Sequence, residues 1–328
     1  MPQKTYHIIT YGCQANIADG ERIAAKLEFM GYKKTDSPEK ADLVVLNACS
    51  VRQSAINRLY SQIKKWPHKK LVVTGCLLPD DREKIKKMVN QIWHPDDYFD
   101  LLPQRSSSKD ALIPIMTGCN NFCTYCAVPY TRGRERSRKM KEILDEIREV
   151  IKKGYREIWL LGQNVNSYKP SFPKLLKKIN SMAGDFTIHF ISSHPKDFSD
   201  ELIKTIAECK KVSREIHLPV QSGDNKILKA MNRNYTVSHF KKLVFKIRKK
   251  IPDVKISTDI IVGFPGETKK QFENTVKLVK EIGFYKAFIS RYSPRPNTLA
   301  SKLKDDVSNE EKKRRWKILD ELINKKTK

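Results

Sequence analysis

Apolar residues recur along this chain in two rhythms. Short apolar runs at 6–11, 42–47 and 70–74 read as buried strands. Between them, residues 19–30 and 51–65 space their apolar positions three and four apart, as a helix facing a core does. Strand, helix, strand, helix, strand implies a parallel sheet with right-handed crossovers. A polar stretch over 103–110, with Gln104, Arg105 and three serines, reads as a linker. Six further strand runs follow, at 111–116, 157–161, 186–191, 215–218, 255–262 and 286–290. Helical spacing follows most of them, at 140–153, 172–183, 200–209, 236–249 and 269–283. Six units are too few to close an eight-stranded barrel, so a partial barrel is expected, with ligands at the carboxyl ends of its strands. The expected class is α/β. A parallel α/β sandwich domain spans 1–102, the linker 103–110, a partial (β/α)6 barrel 111–305, and a charged C-terminal helix lies within 306–328.

Composition narrows the function. Lys and Arg number 64 against 37 Asp and Glu, a net charge of +27, which favours polyanionic partners and nucleic acid first. No apolar run approaches the roughly 18–20 residues that span a bilayer. The start, Met1 to Tyr6, lacks the apolar core of a secretion signal, so a cytoplasmic protein is expected. The seven cysteines are an odd number in such a setting, which argues against a disulfide framework. Cys209 alone falls in an ordinary helical pattern and reads as a buried thiol.

Gly118-Cys119-Asn120-Asn121-Phe122-Cys123-Thr124-Tyr125-Cys126 is a CxxxCxxC loop directly after a strand. Three thiolates on so short a loop can ligate three irons of a 4Fe–4S cube. The fourth iron is then open to a substrate or cofactor, as catalysis requires. Structural zinc normally takes four ligands, and the next histidine is His189. Cys119, Cys123 and Cys126 are therefore the candidate catalytic centre. The later strands also end in polar or glycine-rich sequence: Gly162 to Asn166, Ser192 to Pro195, Pro219 to Gly223, Gly263 to Glu267 and Arg291 to Pro296. In a parallel barrel these loops crowd one mouth. We take Gln163, Gln221, Gly263 and Glu267 as cofactor contacts there, where amides can hydrogen-bond and glycine lets backbone approach a ligand. His194, followed by Pro195, is either a catalytic group or the start of a turn.

Cys13, Cys49 and Cys76 lie 36 and 27 residues apart, yet each stands just beyond a predicted parallel strand. Spacings near 30 suit βαβ units. Adjacent parallel strands put their carboxyl ends on one edge, so these thiols are expected to meet and hold a second cluster.

Together these features resemble the radical S-adenosylmethionine methylthiotransferases. The resemblance rests on Tyr11-Gly12-Cys13-Gln14-x-Asn16, Asn47-Ala48-Cys49-Ser50-Val51-Arg52, Gly75-Cys76 and the loop from Cys119 continuing to Glu135. It extends to His217 through Gly223 and Thr258 through Glu267. The segment Leu160 to Asn166 resembles the MiaB branch, which methylthiolates C2 of N6-isopentenyladenosine beside the tRNA anticodon. The resemblance implies an enzyme with two 4Fe–4S clusters and S-adenosylmethionine, in which Tyr125 lies near the adenine. It implies tRNA as substrate and an electron donor such as flavodoxin or ferredoxin; a monomer outside membranes is expected. Other branches act on threonylcarbamoyladenosine or on a ribosomal protein. A basic iron–sulfur RNA-binding protein without turnover is the alternative from another class. Arg132, Arg134, Arg136 and Arg138 follow the loop and are expected to meet phosphates, while Lys139 and Lys141 either join them or solvate a helix face. Most relatives of this kind carry a C-terminal RNA-binding β-barrel, the TRAM domain. The sequence stops soon after Trp316 to Leu322, about where it would begin, so that domain is expected to be absent.

Overall fold

A computed structural model describes residues 3–51, 53–107 and 109–325. Arg52, part of one motif above, and Ser108, in the linker, lie outside the described residues. The chain forms two units. The first comprises Met1–Cys119, Ala127–Arg156 and Arg295–Asn297; the second comprises Asn120–Cys126, Glu157–Pro294 and Thr298–Lys328.

In the first unit, β1 (Thr5–Thr10), α1 (Gln14–Phe29), β2 (Lys33–Lys34), β3 (Leu43–Cys49), α2 (Gln53–Lys65), β4 (Lys70–Cys76), α3 (Pro79–Lys86) and β5 (Gln91–Ile92) build a parallel sheet in the order β2-β1-β3-β4-β5. Helices cover both faces, so β3 is buried along its whole length and reads as a continuous apolar run. Val44, Leu46 and Val73 pack with Ile56 and Leu59 of α2. Tyr6, Val45 and Val72 pack with Ile23 and Leu27 of α1. Helix α1 begins five residues before the apolar rhythm, which predicted it from residue 19. In the added stretch the polar Asn16 is buried and the apolar Ile17 exposed, so hydrophobic spacing could not reveal it.

The unit continues through β6 (Asp110–Pro114), β7 (Met116–Thr117), α4 (Val128–Thr131), β8 (Arg136–Ser137) and α5 (Met140–Lys152). Strands β7 and β8 pair antiparallel. The stretch read as a linker is pinned. Ser106 bonds to Glu21, and Arg105 pairs with both Glu21 and Glu146. Glu146 on α5 also receives Arg22 and Arg138, so one buried carboxylate gathers three guanidiniums. Burial opposes its charge, but Arg22, Arg138 and Arg105 more than offset this and lower its pKa.

In the second unit, β9 (Glu157–Leu161), α6 (Phe172–Asn180), β10 (Thr187–Phe190), α7 (Asp200–Glu208), β11 (Glu215–His217), α8 (Asn225–Ala230), α9 (Val237–Lys250), β12 (Lys255–Val262), α10 (Lys269–Ile282) and β13 (Lys286–Arg291) alternate as in a barrel, closed by α11 (Asn309–Ile323). Strand β9 pairs parallel with β10, and β12 pairs parallel with β11 and β13. Ile188 of β10 also makes a parallel bridge to Val212, which precedes β11. Along β12, Ile256, Thr258, Ile260 and Val262 are buried, while Ser257, Asp259 and Ile261 are half-buried on the other face. Helix α10 starts at a capping box of Thr268 and Gln271 and stops at Gly283, whose φ of 61° suits a left-handed cap. Helix α11 is charged, yet its Lys312 and Arg315 are buried against the barrel.

Candidate active site

The edge formed by the carboxyl ends of β1, β3 and β4 carries three cysteines. Cys49 and Cys76 are the last residues of their strands rather than residues beyond them, and they face each other in register. Their thiols share a hydrogen bond that lowers the pKa of Cys49 and raises that of Cys76; burial raises Cys76 further. Cys13 caps α1 beside them, exposed, and its charge is felt at Cys49. Gly75 makes the approach possible. Its φ is 100°, and a Cβ there would stand 2.2 Å from the Ala48 carbonyl oxygen. Asn16 and Asn47 brace the edge, with Asn47 donating to the Asn16 carbonyl at 2.6 Å.

Arg132 completes this edge. Its Nε donates to the Cys76 sulfur at 2.9 Å and its Nη2 to Asp19 at 2.5 Å. Burial works against the guanidinium, but Asp19 and Cys76 more than offset it, so its pKa rises. Sequence reasoning assigned Arg132 to phosphate. That assignment is corrected, as is that of Arg138, because both guanidiniums are buried. Arg136 pairs with Asp96 and Asp100, and Arg138 with Glu146. The two buried arginines are committed to carboxylates of their own unit.

The CxxxCxxC loop divides between the units, Cys119 in the first and Cys123 and Cys126 in the second. Gly118 has a φ of 76°, and a Cβ there would lie 2.0 Å from the Arg134 carbonyl oxygen, so only glycine turns the chain into the loop. In the second unit the loop is clamped to residues 230–233. Thr124 bonds to Met231 and Ala230, and Asn232 donates to the carbonyls of Asn121 and Phe122. Arg233 is buried and points an Nη1 at the Cys123 sulfur, 3.6 Å away. Burial disfavours its charge, but Tyr125, Tyr235 and Cys123 raise its pKa. Tyr125 packs against Met231, Phe264 and Tyr292, and burial pushes its phenol up.

The strand ends of the second unit hold buried polar atoms that no protein group satisfies among the described residues. These are Gln163 Oε1, Asn164 Oδ1, Ser193 Oγ, His194 Nε2, Gln221 Oε1 and Tyr292 OH. Such orphans normally find a ligand or water. Gln221 also holds a φ of 68°, a strained backbone for a residue with a side chain. His194 caps a short helical turn, its Nδ1 accepting from Lys196 N–H. Burial, then Arg233 and Lys196, lowers its pKa to about 2. It is a neutral imidazole with Nε2–H to donate, not a base. Glu267 turns its carboxylate to Gly263 N–H and to Arg315, each at 2.7 Å. Burial raises its pKa. Gly263 has a φ of 69° and no room for a Cβ against Lys312. Cys209 is the buried C-terminal cap of α7.

The donor sets suit soft iron and a polar organic cofactor. Among the described residues no three His, Cys, Asp or Glu side chains close on a single metal ion. A cube takes one thiolate per iron, so its ligands ring a volume instead of meeting at a point. Asp19, Asn232 and Arg233 escaped the sequence reading, since no motif links them to a cysteine.

Residues 113–279 match the radical SAM superfamily, and residues 5–94 match the uncharacterized protein family UPF0004. A tRNA-2-methylthio-N(6)-dimethylallyladenosine synthase of Carboxydothermus hydrogenoformans is 42% identical, covering 99% of this chain and 84% of that protein. This chain belongs to that synthase family, within the radical SAM superfamily. Family members from Thermoanaerobacter pseudethanolicus and Clostridium novyi are each 43% identical over 98% of the chain, covering 78% and 81% of their own lengths. The fold of the family is shared with the radical S-adenosylmethionine methyltransferase TsrM from Kitasatospora setae, at a TM-score of 0.67 and 12% identity. That likeness covers 91% of this chain and 75% of TsrM.

Proposed function

We propose that this chain methylthiolates C2 of N6-isopentenyladenosine in tRNA, beside the anticodon. It is a radical SAM enzyme, and its cofactors are S-adenosylmethionine and 4Fe–4S clusters. When bound, these supply a 5′-deoxyadenosyl radical, a sulfur source and a methyl group. C2 of adenine has no acidic proton and no leaving group, so acid–base catalysis has little purchase there. The observation that carries the reading is the pair of cysteine sets, each beside a buried arginine, in a chain 42% identical to a synthase with this activity over 99% of its length.

Cys119, Cys123 and Cys126 ligate one cluster in this reading, and Cys13, Cys49 and Cys76 the other. Asn232 and Thr124 hold the first set's loop in shape. Gln163, Gln221, Tyr125 and the Nε2–H of His194 offer hydrogen bonds and a flat ring to the nucleoside cofactor. Gly263 lets backbone approach it, and Glu267 keeps that glycine in place rather than touching the ligand. The orphaned polar groups, amide oxygen acceptors among them, need no reorganisation when the cofactor arrives. The finer partners follow the same reading: tRNA as substrate, a flavodoxin or ferredoxin as donor, a monomer working in the cytoplasm. Among the described residues no helix is long and apolar enough to cross a membrane.

Mass spectrometry of nucleosides tests this, after anaerobic incubation with isopentenylated tRNA, dithionite and S-adenosylmethionine. A methylthio product is expected. Deoxyadenosine without that product would favour the same chemistry on another target, and neither would favour a structural iron–sulfur protein.

A further inference from the structure

Helices α8, α9 and α10 border an open groove of about 540 Å³, apart from the residues assigned above to the cofactor. Its lining includes Lys226, Lys241, Lys270 and Lys277. We propose that it is a phosphate groove that grips the RNA backbone next to the nucleotide being modified. This rests on the tRNA reading above.

Three observations carry it. The first is position. The lining begins at Gly223, two residues after Gln221, and at Thr268, directly after Glu267. Both loops end at the mouth, so the groove lies on its rim. A base entering the mouth leaves its neighbouring phosphates on that rim. The second is charge. Lys226, Lys270 and Lys277 are exposed and carry no ion pair among the described residues; Lys241 pairs with Glu281. The one acid of the lining, Asp224, is occupied. It accepts from the backbone of Lys226 and Ile227 and from Gln271 and Asn274. The groove therefore presents ammonium groups. The third is what the lining lacks. No aromatic ring is in it, and Val237 and Leu278 are its main apolar members. A base or free nucleotide would want a stacking surface; a sugar–phosphate strand does not. The walls are firm: Gly223 N–H donates to Thr275 Oγ1 at 2.9 Å, and a Cβ on Gly223 would lie 2.5 Å from the Thr275 Cα.

The test measures binding of isopentenylated tRNA to the cluster-loaded protein across a salt series. The triple variant Lys226→Glu, Lys270→Glu, Lys277→Glu should bind at least about tenfold more weakly, with a salt slope flatter by about two to three. The matching triple Lys→Arg variant should keep the affinity. Iron content and the visible absorption band establish that both variants are folded. Wild-type affinity and slope in the glutamate triple would overturn the groove. So would an equal loss from Lys64→Glu, Lys65→Glu on α2, which would mark a diffuse charge effect. Wild-type protein that binds no tRNA would overturn the tRNA reading itself.

Discussion

Cys119, Cys123 and Cys126 share one loop, whereas Cys13, Cys49 and Cys76 come from three strand ends. The loop set is defined by spacing, and its surroundings only hold it still. The edge set has no spacing at all; it exists because β1, β3 and β4 are neighbours in one parallel sheet. The arginines beside them differ in the same spirit. Arg132 is matched by Asp19, while no carboxylate meets Arg233 among the described residues. One edge is electrically closed. The other leaves a buried cation beside a sulfur, an arrangement that favours an anion there.

Cysteine replacements should separate the two sets most sharply. Cys119→Ala should reduce deoxyadenosine formation to background. Cys13→Ala should keep deoxyadenosine and lose the methylthio nucleoside. Each should lower reconstituted iron from about eight to about four per chain. Loss of deoxyadenosine in both would break the distinction.

The arginines give the next largest effects. Arg132→Gln strands Asp19 and should cost about 3–5 kcal/mol in denaturant unfolding. Adding Asp19→Asn should return part of it. Arg233→Gln strands no acid, so its stability cost should be smaller. Its signature should be spectroscopic, a weaker signal of reduced cluster at fixed dithionite. An equal response from Arg132→Gln would remove the contrast.

Acid titration separates the units more gently. The carboxyl of Glu146 is held below the ordinary glutamate value of about 4.3. Its stabilisation is present above that value and is lost as pH falls through the lower folded value. Glu267 is raised by burial, so its contribution moves the other way, improving as pH falls. Unfolding followed between about pH 3 and 6 should show Glu146→Gln flattening the acid limb. Smallest of all, His194→Gln should leave the pH profile of deoxyadenosine formation unchanged near neutrality, because this imidazole is neutral down to about 2.

Much of this was legible in the sequence. Strands β9 and β12 lie at the predicted residues because each carries β-branched or apolar residues bounded by polar or glycine turns. The sheet-edge cysteines followed from strand order alone. Helix α3 was missed because Ile85 is its one buried residue. The arginine run misled for a different reason. Its partners lie far along the chain, with Asp19 separated from Arg132 by 113 positions, and sequence carries no sign of which acids return. A separation of 110 positions likewise hid Arg233 from Cys123.

The register that sets Cys49 against Cys76 also limits how such a chain can diverge. Neighbouring residues on a strand face opposite ways, so a one-residue insertion within β3 or β4 would turn a cysteine out of the ring. The connections between strands tolerate added length, since closing a longer loop costs little. The alignment to the Carboxydothermus relative runs over 371 positions, more than this chain's 328 residues, so that protein carries additional residues within the matched span. Added length between the strands leaves the cysteine edge in phase, whereas added length within them does not.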